Sequence, residues 1–174
     1  MTGAAEVVLG MKRAADCALS GTAVATVGKI SAFPGAANII PGEVEFFVDI
    51  RDIDEESIDN LAKELFSLVN YSAERYGLTH DIQRLAKSPA VGLDPDVADL
   101  VHKNATELGF SAKRMNSGAV HDSVMMTDVT KVGMIFVPSI GGLSHCPEEF
   151  TRDEDIEAGA KVLFETVRQL AEET

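Results

Sequence analysis

Residues 141–151 read GGLSHCPEEFT and gather a histidine, a cysteine and two glutamates at one place. His145 follows an apolar run and sits in a Gly-rich loop. In open α/β sheets, ligands bind beyond the carboxyl ends of strands, so a histidine there can ligate a metal or carry a proton. Its spacing fits a plain surface-loop histidine equally well. Glu148 and Glu149 read as solvated charges ahead of a helix. Cys146 is a conceivable thiol nucleophile, but residues adjacent in a chain rarely aim at each other.

Three further groups carry possible chemistry. In SGAVHDS, residues 117–123, Ser117, His121 and Asp122 have the types of a Ser-His-Asp triad. The spacing is not that of a G-x-S-x-G nucleophile elbow, and a triad is defined by geometry. The same stretch also reads as a helix entry whose backbone N–H groups could hold an anion. Asn38 lies in PGAANIIPG and Arg51 ends FFVDIR. An arginine can clamp a carboxylate with two parallel hydrogen bonds, and an asparagine amide can bind an oxygen that gains charge during hydrolysis. A surface salt bridge is the plainer role for Arg51. His80 and His102 read as surface residues of a strand and a helix.

A catalytic zinc-type site takes three or more protein ligands. The chain offers one well-placed histidine and neither an H-x-D nor an H-E-x-x-H pattern. The site implied by His145 is therefore expected to be incomplete, as in a piece of a larger enzyme.

The elements that must position these residues follow from periodicity. Residues 3–19 form a helix with Val8, Met11, Ala15 and Ala18 at helical spacing, stopped near Gly21. Residues 22–30 are a strand, and two Pro-Gly pairs make 32–42 a loop. Residues 43–51 alternate: Val44, Phe46, Val48 and Ile50 face one way, Glu45, Phe47, Asp49 and Arg51 the other. That places Arg51 at a strand exit, where the 32–42 loop is expected to bring Asn38 near. Residues 55–76 are a helix striped by Ile58, Leu61, Leu65 and Leu68, ended by Gly77. A weaker strand spans 78–85. One sheet covered by two helices satisfies this order.

After a linker over residues 86–96, Asp94 caps a helix with Pro95 in its first turn. Val97, Leu100, Val101 and Leu108 are expected to point inward, with Gly109 as the stop. Residues 110–115 read as a short strand and 116–126 as a turn entering a helix. The apolar run over 131–139 reads as a strand buried on both faces. Thr151 and Glu154 make a capping box for a last helix lined by Ile156, Leu163, Val167 and Leu170.

Composition bounds the partners. The chain has 174 residues, 45% of them hydrophobic, which suffices for a core in one or two domains. A formal net charge of −13 disfavours nucleic acid and anionic lipid. No 18-residue apolar run is present, the N-terminal residues lack the order of a signal peptide, and the two cysteines, Cys17 and Cys146, are too few for a disulfide scaffold. A cytoplasmic protein without nucleic-acid or membrane partners is the expectation.

Taken together, ATVGKI, FPGAANIIPG, VEFFVDIRD, SGAVHDS, VGMIFVPSIGGLSHCPEE and DIEAGAKVL resemble, in order, the hydantoinase/carbamoylase family of metal-dependent amidases. That family lies within the wider aminoacylase- and carboxypeptidase-like metallohydrolases. The resemblance implies an α/β fold: a lid or dimerisation domain over residues 1–85 lacking its first strand, then the C-terminal part of a catalytic domain over 86–174. It implies a fragment of an enzyme that hydrolyses N-carbamoyl (ureido) amino acids. Alternatives are an allantoate amidohydrolase or, for the isolated chain, a non-catalytic dimerisation module; a serine or cysteine hydrolase using Ser117 or Cys146 would need a base within reach. By resemblance, His145 is a metal ligand, and Asn38, Arg51, Gly118 and His121 bind substrate, Arg51 through its carboxylate. The role of Asp122 stays open. No residue of this chain is expected to be the catalytic base. Two divalent ions (Zn, Mn, Co or Ni) per active site are implied, not fully held by this chain, with a homodimer through the lid. Where the family reads S-G-A-G-H-D-A, Val120 and Ser123 replace the second Gly and the last Ala, which bears on pocket shape.

Overall fold

The structure is a computed structural model and describes residues 1–172. Helices and a small sheet give an α/β chain of two compact units, Met1–Ala90 and the residues from Val91 onward.

In the first unit, helix α1 (Thr2–Asp16) buries Gly3, Val7, Met11 and Ala15, one residue every fourth. Val7 rather than Val8 therefore faces the core, and the helix stops short of residue 19. Strand β1 (Val24–Phe33) pairs antiparallel with β2 (Glu43–Arg51). The register shifts between Val27 and Lys29, which makes Gly28 the extra residue of a bulge. That bulge resets the alternation: Ala25 and Val27 before it, and Ile30 and Ala32 after it, all pair with the inward row Ile50, Val48, Phe46 and Val44. Simple alternation in the sequence cannot carry through it, and β1 runs three residues beyond the expected end at Ile30.

Helix α2 (Glu55–Tyr76) starts where the Asp54 carboxylate accepts from the Glu56 N–H at 3.0 Å and ends on left-handed Gly77, φ 64°. Both helices pack on the inward row, around Val7, Met11 and Leu61 with Phe46, Val48, Ile50, Leu65 and Leu68. The helices touch closely. A Cβ on Gly3 would lie 2.7 Å from Leu78 Cδ1, and one on Gly10 would lie 2.8 Å from Leu68. Ser72 Oγ donates to the Gly3 carbonyl at 3.0 Å, satisfying a buried hydroxyl.

The expected strand over 78–85 is not formed. Leu78 N–H instead donates to Ala73 O at 2.9 Å, finishing the α2 terminus, and among the described residues no strand lies beside this segment to make a ladder. Lys87 Nζ reaches Asp59 at 2.9 Å and Glu55 at 3.0 Å, which fastens the following residues to α2. The unit accordingly continues to Ala90 rather than ending at 85.

In the second unit, helix α3 (Pro95–Glu107) begins as expected. The Asp94 carboxylate accepts from Asp96 N–H at 3.0 Å and Val97 N–H at 3.1 Å. Helix α4 (Asp153–Glu172) starts later than a Thr151 cap requires. Its first helical bonds go to the Arg152 carbonyl, from Asp155 N–H at 3.0 Å and Ile156 N–H at 3.1 Å. α3 and α4 meet through Asn104 and Thr166, whose side chains bond at 3.1 Å. The buried residues are therefore Val97, Asn104 and Ala105 on α3, and Val162 and Thr166 on α4. The expected stripe of Ile156, Leu163, Val167 and Leu170 is instead exposed, as is Leu108. An apolar stripe marks a face suited to burial, and Ile156, Leu163 and Val167 on this one are more than half exposed.

The strands expected over 110–115 and 131–139 do not form, because among the described residues β1 and β2 make the only sheet. The 131–139 run packs on its helical side: an added Cβ on Gly133 would lie 2.5 Å from Val97 Cγ1, and one on Gly159 the same distance from Val137 Cγ1. Phe136 and Val137 are exposed, so the run is not buried on two faces. No helix among the described residues is long and apolar enough to cross a membrane.

Candidate functional site

Arg51 projects from the face of β2 opposite the core. Its Nε and one terminal nitrogen donate to the two carboxylate oxygens of Asp49, at 2.9 and 2.8 Å. Residues two apart on a strand share a face, which explains the pair. The hydrogen bond from Arg51 holds the Asp49 carboxyl below the usual carboxylate range, and Asp49 raises Arg51 in turn. The guanidinium is thus preformed as a fork, on a partner more than half exposed to water.

Asn38 does not join it. The loop over residues 34–42 leaves β1 at Phe33 and enters β2 at Glu43, and Gly42 N–H closes it onto Phe33 O at 3.0 Å. Arg51 pairs with Val24 at the other end of the ribbon. Eight residue steps of strand separate Glu43 from Arg51, roughly 27 Å. From Gly42 the chain could bring Asn38 back by at most about 14 Å. The expectation that they meet treats the strand exit without its pairing: antiparallel pairing sends the joining loop to the far end.

Asp52, beside Arg51, has a role the sequence did not suggest. Burial pushes its carboxyl up, but hydrogen bonds from Ser20, Ser57, Thr22 and the Ile53 N–H hold it down to about 2. Ser20 Oγ lies 2.5 Å and Thr22 Oγ1 2.6 Å away. The carboxylate thereby buckles the turn before β1 to the turn before α2, at the end of the ribbon that carries Arg51.

In the second unit, His121 caps a short 3-10 helix, Asp122–Met126. Its Nδ1 lies 3.1 Å from the Ser123 N–H donor and 2.9 Å from Ser123 Oγ. Ser117 Oγ donates to Ala119 O at 2.7 Å. A Ser-His-Asp triad needs Nδ1–H on the aspartate and an Nε2 lone pair on the serine. Here Nδ1 is engaged by Ser123, so Ser117, His121 and Asp122 do not form that relay. Gly118 sits in the same turn and is exposed.

His145 adopts φ 58°, the one left-handed non-glycine among the described residues. Its N–H donates to Glu149 Oε2 at 2.8 Å, and Glu149 N–H donates to Cys146 O at 3.1 Å. Glu149, expected to be a solvated charge, is thus the acceptor that holds the His145 loop in an uncommon conformation. A non-glycine at a positive φ cannot be read from sequence, but a carboxylate four residues on is the visible correlate. His145 is exposed, and among the described residues no group of three or more His, Cys, Asp or Glu could hold a metal. The described residues therefore do not make a complete metal centre; at this loop they present one imidazole.

Residues 2–169 match the model of peptidase family M20/M25/M40. The chain is 39% identical over 147 residues to an N-carbamoyl-L-amino-acid amidohydrolase of Paenarthrobacter aurescens, covering 84% of this chain and 36% of that protein. It is 35% identical over 146 residues to an allantoate amidohydrolase of Bacillus subtilis, covering 84% of this chain and 35% of that protein. A hydantoinase/carbamoylase family amidase from Burkholderia multivorans superposes with a TM-score of 0.90 at 33% identity, covering 95% of this chain and 40% of the other. The chain spans well under half the length of these relatives. A match that runs from residue 2 to residue 169 leaves the assignment in no doubt: the chain belongs to peptidase family M20/M25/M40.

Proposed function

We propose that this chain supplies the substrate-gripping lid and one metal-ligating loop of an amidohydrolase that cleaves the ureido group of N-carbamoyl amino acids. The single observation that carries this reading is the similarity, over 84% of the chain, to relatives named for N-carbamoyl amino acids and for allantoate, both ureido acids. Arg51 grips the carboxylate of such a substrate with its planar fork. Asn38 donates from its amide to the ureido oxygen, where charge develops during hydrolysis. His121 and Gly118 line the pocket, and His145 is a ligand to a divalent ion that polarises the ureido carbonyl when bound. The other ligands and the general base would belong to the part of such an enzyme that this chain does not match.

The ribbon geometry adds a condition. Asn38 and Arg51 leave the ribbon at opposite ends, so the reading assigns them to different substrates: in a homodimer joined through the lids each lid serves two active sites. Allantoate, the alternative substrate, carries the same ureido and carboxylate groups and uses the same grips.

A graft tests the reading. This chain would replace the matching segment of the Paenarthrobacter aurescens enzyme, and the purified, metal-loaded chimera would be assayed on N-carbamoyl amino acids and on allantoate. Hydrolysis of the former, abolished by His145→Ala, is the expected result. A folded, metal-loaded chimera inert to every ureido acid would sink the reading.

A further inference from the structure

We propose that Ser123 is a positioning residue that holds His121 as its Nε2–H tautomer, so that His121 meets a bound ligand as a hydrogen-bond donor and not as a base. The proposal deepens the pocket reading above and rests on it for the identity of the ligand, whose acceptor is a carbonyl or carboxylate oxygen of a ureido acid.

The argument begins with what a backbone amide can do. Ser123 N–H can only donate, and its acceptor is His121 Nδ1 at 3.1 Å. Nδ1 must then carry the lone pair, and the single proton of a neutral ring is on Nε2. Ser123 Oγ is 2.9 Å from the same nitrogen and, as a hydroxyl, donates to it as well. The backbone fixes this geometry. His121 is the N-cap of the 3-10 helix in an extended conformation, φ −118° and ψ 148°, and its carbonyl accepts from Val124 N–H at 3.0 Å. The ring is therefore held over the first turn by two donors from one residue.

The other ring nitrogen is unengaged. Among the described residues Nε2 has no hydrogen-bond partner, and His121 is exposed. What the turn offers outward is one N–H donor. Accepting a proton or a metal at Nε2 would require its proton to move to Nδ1, which sets Nδ1–H against the Ser123 N–H and turns Ser123 Oγ from donor to acceptor. His121 and His145 thus differ in kind, one a donor and one free to be a ligand. A serine at residue 123, where an alanine would leave only the backbone donor, strengthens this bias.

The test is nitrogen NMR of the 174-residue chain, with the imidazoles labelled and the pH high enough for neutral rings. His121 should show a protonated Nε2 and a lone-pair Nδ1, with His80 and His102 as exposed references. Ser123→Ala should lower the ratio of Nε2–H to Nδ1–H at His121 by roughly two- to tenfold, the worth of one neutral hydrogen bond. Ser123→Thr, which keeps the hydroxyl, should restore it. A merely structural role for Ser123 would leave that ratio unmoved. A predominant Nδ1–H form in the parent chain, or an unchanged ratio in Ser123→Ala, overturns the proposal even if the grafted enzyme hydrolyses ureido acids. The pocket reading fails separately, through an inert graft in which the tautomer is as expected.

Discussion

Asn38 and Arg51 stand at opposite ends of the β1–β2 ribbon, Asn38 in the loop that joins Phe33 to Glu43 and Arg51 paired with Val24. Two groups proposed for one substrate are thus held apart by the length of a strand. The reading that each acts on a different active site is testable by mixing subunits. In a dimer of one Asn38→Ala graft and one Arg51→Ala graft, one site keeps both residues and the other loses both. Random pairing should therefore restore about a quarter of wild-type activity from two inactive parents. If both residues of one lid served one site, no mixture would recover.

The two residues should also differ in kinetics. Arg51 holds a charge present in the free substrate, so Arg51→Lys in the graft should raise KM with little change in kcat. Loss of the fork should cost about 1.5–3 kcal/mol, the range for a charged hydrogen bond. Asn38 acts on charge that develops later, so Asn38→Ala should lower kcat. Steady-state assays on an N-carbamoyl amino acid and on its decarboxylated analogue check both. Equal damage to the two substrates by Arg51→Lys would mean that Arg51 has a structural role and does not grip the carboxylate.

Much of this was legible in the sequence, and the failures share a cause. The Asp94 cap, the β2 alternation and the whole of α2 rest on local spacing, and they are where the sequence puts them. The 131–139 run and the Ile156, Leu163, Val167 and Leu170 stripe are hydrophobic enough for burial, yet both are open on one side. Hydropathy records what a segment would bury, not whether this chain contains what would bury it. The tautomer of His121 and the conformation of His145 depend on single hydrogen bonds, from Ser123 and to Glu149, which leave no periodic signal.

Acid should loosen the first unit through Asp52. Its folded-state value of about 2 lies below the ordinary 3.8, so its stabilisation is complete above about pH 4 and is lost as pH falls toward 2. Asp52→Asn removes that dependence. Denaturant melts at pH 5 and at pH 2.5 should show the parent losing more stability than the variant. Parallel losses would place the acid sensitivity elsewhere.

The His145 loop should open when its acceptor is removed. Glu149→Ala leaves the His145 N–H without its carboxylate and left-handed backbone without its tie. Hydrogen exchange at the His145 amide should quicken by roughly two- to tenfold, for a bond of ordinary strength. Glu149→Gln keeps a carbonyl oxygen at the same reach and should exchange nearly as slowly as the parent. Equal rates in all three proteins would show that the loop is held by something other than Glu149.

Asn104 offers the opposite kind of test, a polar side chain whose replacement should help. It is fully buried between α3 and α4, and its Nδ2 donates to Thr166 Oγ1 at 3.1 Å. Its Oδ1 is buried with no partner among the described residues. An orphaned buried acceptor costs about 1–3 kcal/mol, more than the net worth of the one neutral bond that Asn104 makes. Thr166 would not be orphaned in turn, because its hydroxyl donates to Val162 O at 2.8 Å. Asn104→Leu keeps the number and branching of the side-chain heavy atoms and removes the unpaired oxygen. It should leave the second unit as stable as the parent or stabilise it by about 1 kcal/mol, read from the denaturation midpoint. Asn104→Ala, which opens a cavity at the same place, should destabilise it. A loss of stability in Asn104→Leu as large as in Asn104→Ala would show that the Asn104–Thr166 bond is what fixes the α3–α4 pairing.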